Sequence, residues 1–110
     1  MVESISAQEL KKKLDLGDDF KLINVLTEES FRKEHIPGSI NIPYTEIAQH
    51  KDELDKDEEI IVHCSDEKCD ASPTAANKLE KLGYENVKDF EGGMREWKEK
   101  GYKTVSGDDR

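Results

Sequence analysis

The sequence predicts an α/β domain built on a five-stranded, mostly parallel β-sheet flanked by helices on both faces. Three observations lead there. Two apolar runs, Leu22-Ile23-Asn24-Val25 and Ile60-Ile61-Val62, lack the alternation of a half-wet strand and read as strands covered on both sides. Between such runs lie segments whose apolar residues recur at helical spacing. The joints carry helix caps and glycine stops.

The elements follow in order. After a short extended start, Ser6 is placed to cap a helix, and Glu9 three residues on completes a capping box. Leu10 and Leu14 share one face while Lys11, Lys12 and Lys13 stay solvated, and Gly17-Asp18-Asp19 stops the helix. Residues 20–25 read as a strand. Thr27 caps a short helix carrying Phe31, and His35-Ile36-Pro37-Gly38 is a turn that His35 ties down by hydrogen bonding. Residues 39–42 form a short strand stopped by Pro43, and a weaker helix covers 44–49. The acidic stretch 51–59 reads as a surface connection leading into a strand that ends at His63. A helix over 72–82 has Pro73 at its first position, Ala75, Ala76, Leu79 and Leu82 on one side, and Gly83 as its left-handed terminator. Residues 86–89 are the last strand, and 92–100 the last helix, with Met94 and Trp97 packed inward. Gly92-Gly93 caps that helix or permits a tight turn. The reading is one domain over 1–105 and a frayed tail over 106–110.

A chain of 110 residues with 34% hydrophobic and 39% charged residues supports a modest core under a densely ionised surface. Its net charge of −9 lacks the basic footprint of a nucleic-acid binder and repels anionic lipid. No apolar run approaches the ~20 residues that cross a bilayer, and Met-Val-Glu-Ser-Ile-Ser is no secretory leader, so the expected compartment is the cytoplasm. Thiols stay reduced there.

The chemistry concentrates in one loop. Cys64 directly follows the strand ending at His63, and the only other cysteine, Cys69, lies five residues on. A thiol between the carboxyl end of a strand and the amino end of a helix is well placed for nucleophilic work, since peptide N–H groups and the helix dipole favour a thiolate and a bound anion. Amides between Ser65 and Ala71 are expected to form such a cradle. His63 should turn away from the thiol, because neighbours on a strand point to opposite faces.

The segment Asn24-Val25 through His35-Ile36-Pro37-Gly38-Ser39-Ile40-Asn41-Ile42-Pro43 is similar to the "DVR…GHIPGAINIP" stretch of single-domain rhodaneses. Leu82-Gly83-Tyr84-Glu85-Asn86-Val87 with Gly92-Gly93-Met94-Arg95-Glu96-Trp97 resembles that family's "LGY.NV..L.GG...W" ending. The resemblance runs from about residue 5 to 101. It implies a three-layer rhodanese-like fold and sulfur relay. In that relay Cys64 carries sulfane sulfur as a persulfide, taken from a small donor and passed to a thiol acceptor or acceptor protein, with no cofactor and no metal. Ser65, Asp66, Glu67, Lys68, Asp70, Ala71 and Ser72 then form the substrate-binding loop. The expected form is a monomer without nucleic-acid or membrane partners.

This chain departs from the family in two places. The stretch from Cys64 to Ser72 is two residues longer than the family's usual Cys-x5-Ser, which brings in Cys69, and it holds Asp66, Glu67 and Asp70 against Lys68 alone. Asn24-Val25-Leu26 replaces Asp-Val-Arg. Both point to thiosulfate as a poor donor. Cys69 is a resolving thiol, a second sulfur-accepting thiol or a packing residue. A silent rhodanese-like module for protein binding or redox sensing is the alternative reading. Phosphatase chemistry lacks its loop arginine, since position 70 is Asp. Cys64, Cys69 and His63 are too few for structural zinc.

Overall fold

The fold starts from its caps. In the computed structural model, which describes residues 2–66 and 68–107, helix α1 (Ala7–Leu16) opens on a complete capping box. Ser6 Oγ accepts from Glu9 N at 3.1 Å, and Ser6 N donates to Glu9 Oε1 at 3.0 Å. Gly17 ends the helix at φ +70°, a conformation that glycine adopts without a Cβ clash. Ser6→Ala is expected to cost about 1 kcal/mol, lowering the melting temperature by about 4 °C, measured by thermal unfolding.

Five strands follow one register: β1 (Glu3–Ser4), β2 (Lys21–Asn24), β3 (Ile40–Asn41), β4 (Ile60–His63) and β5 (Val87–Phe90). Their order is β1-β5-β4-β2-β3, and every pair is parallel. The remaining helices are α2 (Glu28–Lys33), α3 (Ala71–Lys81) and α4 (Gly93–Glu99). On one face Leu10 of α1 and Met94 and Trp97 of α4 pack over Leu22, Ile61 and Phe90. On the other, Ala75, Ala76 and Leu79 of α3 pack over Ile23, Val25, Ile60, Val62 and Val87, with Cys64 among them. This is the three-layer α/β architecture expected from the sequence.

Several boundaries differ from the sequence reading. Helix α3 begins at Ala71, with Asp70 in the cap position and no side-chain cap bond, so Pro73 is its third residue. Proline is tolerated there because first-turn N–H groups have no intrahelical acceptor. The helix expected over 44–49 is instead two 3-10 segments, Tyr44–Glu46 and Ala48–Glu53, neither with a side-chain cap. Buried Ile47 and Leu54 pin this segment to the core. The Tyr84 hydroxyl holds it too, sharing its proton between the carbonyls of Lys51 (2.7 Å) and Leu54 (2.9 Å). The supposed connection over 51–59 is therefore structured in part. Its Glu59 pairs with Lys13 at 2.7 Å and Lys88 at 2.5 Å. Burial pushes the Glu59 carboxyl upward, but the two lysines outweigh it and leave the pKa lowered.

His35 ties down its turn as expected. Its Nδ1 lies 2.8 Å from Phe31 O, its ring stacks on Phe31, and its backbone bridges Val105. Trp97 Nε1 donates to Lys103 O at 2.8 Å. Gly107 N donates to Arg32 O at 2.7 Å, so the tail expected to fray from 106 is held at its start; residues 108–110 lie outside the described residues.

Candidate active site

Strand β4 delivers Cys64. All four of its residues are buried between the helical layers. Alternation sends Ile60, Val62 and then Cys64 toward α3, and Ile61 toward α1 and α4. His63 goes with Ile61, and its ring centroid lies 6.1 Å from that of Phe90.

Three backbone hydrogen bonds hold the chain as it leaves the strand. Val25 N donates to His63 O at 3.0 Å, Met94 N to Cys64 O at 3.0 Å, and Arg95 N to Ser65 O at 2.8 Å. The last two come from the first turn of α4, which reaches this backbone because Gly93 has no side chain. Gly93 sits at φ +57°, and a Cβ there would lie 2.3 Å from Cys64 O. The sequence reading left Gly92-Gly93 as a cap or a turn. The structure makes Gly93 the point of close approach to the Cys64 peptide.

The Cys64 sulfur is joined to Cys69 in a disulfide, with the two Cα atoms 6.4 Å apart. Cys64 is 1% exposed. Around its Sγ lie Ser72 Oγ at 3.5 Å, Cys69 O at 3.6 Å and Asp66 O at 3.9 Å. In this oxidised form two of the expected cradle amides are engaged elsewhere: Cys69 N donates to Asp66 O at 3.1 Å and Lys68 N to Asp66 Oδ1 at 2.9 Å. Asp66 closes the loop on itself in an Asx turn, and among the described residues the polar atoms meeting the sulfur are carbonyl and hydroxyl oxygens.

The other loop residues divide by exposure. Ser65, Lys68 and Asp70 are exposed, Asp66, Cys69 and Ala71 half-buried, and Ser72 buried; Glu67 lies outside the described residues. An open groove of about 590 Å³ borders the loop, lined by Leu26, Ser30, Ser65, Asp66, Met94 and Arg95 among others. Among the described residues no group of three or more His, Cys, Asp or Glu is placed to hold a metal ion.

His63 is no base for the thiol. Its Nδ1 donates to Cys64 O at 3.1 Å, and its Nε2 is buried without a partner. Full burial lowers its pKa to about 4, despite the opposing bond to Cys64 O, and His35 nearby lowers it further. It therefore stays neutral near pH 7 and braces the backbone. Asn24, which replaces the family's aspartate, accepts from Leu26 N at 2.9 Å through Oδ1. Asn41 Nδ2 donates to Asn24 O and Leu26 O, at 3.0 and 2.9 Å.

Sequence reasoning missed Asp89. It is 6% exposed on β5, in register with Val62 of β4, and its Oδ1 is buried without a hydrogen-bond partner. Burial raises its pKa, and Glu91 adds to the rise. No local motif marks it; only the pairing of β4 with β5 brings it beside Val62.

Fold and site together define a parallel α/β domain with a cysteine loop at the carboxyl end of its central strand. The rhodanese-like domain family matches residues 6–100, and the chain belongs to that family. It is 31% identical over 96 residues to YrkF of Bacillus subtilis, provisionally named a sulfur carrier protein, covering 87% of this chain and 51% of that one. The chain thus spans about half the length of that relative. It is 25% identical over 97 residues to the thiosulfate sulfurtransferase GlpE of Coxiella burnetii, covering 88% and 85% of the two chains. Among solved structures, the BH2092 protein of Bacillus halodurans superposes with a TM-score of 0.90 at 25% identity, covering 96% of this chain and 78% of that one. Among the described residues no helix is long and apolar enough to cross a membrane.

Proposed function

We propose that the reduced protein is a sulfurtransferase or sulfane-sulfur carrier that holds a persulfide on Cys64 and passes it to a thiol acceptor. The observation that carries this reading is the place of Cys64. It directly follows the central strand, before a loop and the first turn of α3, in a chain of the rhodanese-like family. The thiolate attacks the sulfane sulfur of a donor, the donor's bond to that sulfur breaks, and its electron pair leaves with the donor's remaining group. An acceptor thiolate then attacks the outer sulfur and releases Cys64. The groove along Leu26, Ser65 and Met94 is the acceptor's approach. The cytoplasm is the compartment that suits a thiol needing to be reduced.

The disulfide sets a condition on this activity. Cys64 is sealed and bonded to Cys69, so reduction must precede loading; Cys69 then acts as the resolving thiol, its thiolate attacking the Cys64 sulfur of an undischarged persulfide so that the bond to the outer sulfur breaks, hydrosulfide leaves and the disulfide closes again. The acids of the loop disfavour a dianionic donor, so cysteine persulfide, which carries a smaller net charge, should load faster than thiosulfate.

Intact mass after mixing the reduced protein with each donor tests the reading. The expected result is a gain of one sulfur atom that Cys64→Ser abolishes. No adduct from any donor would overturn it in favour of a silent binding or redox-sensing module.

A further inference from the structure

The two ends of the disulfide differ in access and in surroundings. Cys64 is 1% exposed and belongs to the core cluster of Val25, Val62 and Ala75. Cys69 packs against that cluster from outside, half-buried between the exposed Lys68 and Asp70. A thiolate that cleaves a disulfide attacks one sulfur and expels the other, so access to each sulfur and the stability of each leaving thiolate decide the direction. Both favour attack at Cys69. An incoming thiol meets core side chains at Cys64 and open loop at Cys69. Ser72 Oγ lies 3.5 Å from Cys64 Sγ, and because that sulfur has no proton in the disulfide, the hydroxyl is the donor. Ser72 is the second residue of α3, so a thiolate left on Cys64 lies against the positive end of a helix of 11 residues. A thiolate left on Cys69 would instead sit beside Asp70.

We infer that Cys69 is a site of S-thiolation: a low-molecular-weight thiol opens the disulfide at Cys69 Sγ, remains there as a mixed disulfide and frees Cys64 as a thiolate. The thiol first gives its proton to solvent. Its sulfur then bonds to Cys69 Sγ, the bond between Cys64 and Cys69 breaks, and the electron pair of that bond stays on Cys64 Sγ. A second thiolate attacks the small thiol's sulfur in the mixed disulfide and releases Cys69. Two small thiols are thereby oxidised to their disulfide, and one protein disulfide is reduced to two thiols.

The inference rests on the sulfur-transfer reading for its use. While Cys69 carries the small thiol, it has no thiolate with which to resolve a persulfide on Cys64. Sulfur loaded in that interval leaves to an external acceptor, and hydrosulfide is not released by Cys69. Without loading, the Cys64 thiolate attacks Cys69 Sγ again, expels the small thiol and restores the disulfide. The modification on Cys69 therefore decides between transfer and self-resolution.

Reduced glutathione is the probe, and no sulfur donor is present, so the outcome is separate from that of the persulfide experiment. The oxidised protein is mixed with glutathione, quenched at early times with N-ethylmaleimide and digested with trypsin. Cleavage after Lys68 puts Cys64 and Cys69 on different peptides. Glutathione on the Cys69 peptide with N-ethylmaleimide on the Cys64 peptide should exceed the reverse pattern by about tenfold or more. The reverse pattern, or an even split, would overturn the inference. The rate of disulfide opening gives a second readout, which holds even where the mixed disulfide is too short-lived to collect. Ser72→Ala removes the donor to the leaving sulfur and should slow opening by about threefold to tenfold. An unchanged or faster rate would mean that Cys64 is not the sulfur expelled. Should Ser72→Ala fail to fold, the peptide pattern of the unaltered chain decides.

Discussion

Gly93→Ala is expected to destabilise the protein by about 3 kcal/mol or more and to abolish reaction at Cys64 in the molecules that still fold. Two effects combine. Gly93 holds φ +57°, a left-handed conformation that strains any residue with a Cβ. The added methyl would also lie 2.3 Å from Cys64 O and 2.9 Å from the carbonyl carbons of Cys64 and Ser65. These are backbone atoms between β4 and the loop, with no flexible end to swing aside. Relief requires moving α4 away from the strand end, which breaks the bonds from Met94 N and Arg95 N to the Cys64 and Ser65 carbonyls. Urea unfolding measures the first effect and thiol alkylation in the folded fraction the second. A variant with the parent's midpoint and reactivity would show that this contact positions nothing.

Acid should weaken the fold through His63. The folded pKa is about 4 against an ordinary value of 6.5, because burial opposes charging. Above pH 6.5 both folded and unfolded states are neutral at this residue, and it contributes no pH dependence. As pH falls from 6.5 toward 4, the unfolded chain takes up a proton that the folded chain refuses, so stability falls. A depression of this size corresponds to about 3 kcal/mol lost across that window. Glu59, with its pKa lowered by Lys13 and Lys88 against burial, adds loss in the same direction at lower pH. Asp89 acts oppositely, since its raised folded pKa makes protonation favour the folded state as pH falls. Urea midpoints measured across the window, compared with His63→Gln, check the assignment. The variant's curve should be flatter between pH 6.5 and 4, and identical slopes would place the acid sensitivity elsewhere.

Legibility in the sequence followed the range of the interactions involved. Helix α1 was readable from Ser6, Glu9 and Gly17 because a cap is a contact between residues three or four apart. Strands β2 and β4 were readable because burial on both faces leaves an unbroken apolar run. The helix expected over 44–49 and the connection expected over 51–59 give way to two 3-10 segments because Tyr84, some thirty positions away, and the burial of Ile47 and Leu54 set the conformation there. The site divides the same way. The placement of Cys64 and the turning away of His63 follow from strand alternation. That Asp89 lies beside Val62 and that Gly93 abuts the Cys64 peptide follow from sheet pairing, which no local pattern displays.

Both margins of the sheet are stubs: β1 and β3 are two residues each, and the longer strands lie between them. A foreign strand therefore finds almost no ladder of open peptide groups to extend. With a net charge of −9, copies that meet at a margin also repel one another. Edge-to-edge pairing between copies is therefore disfavoured by geometry and charge together.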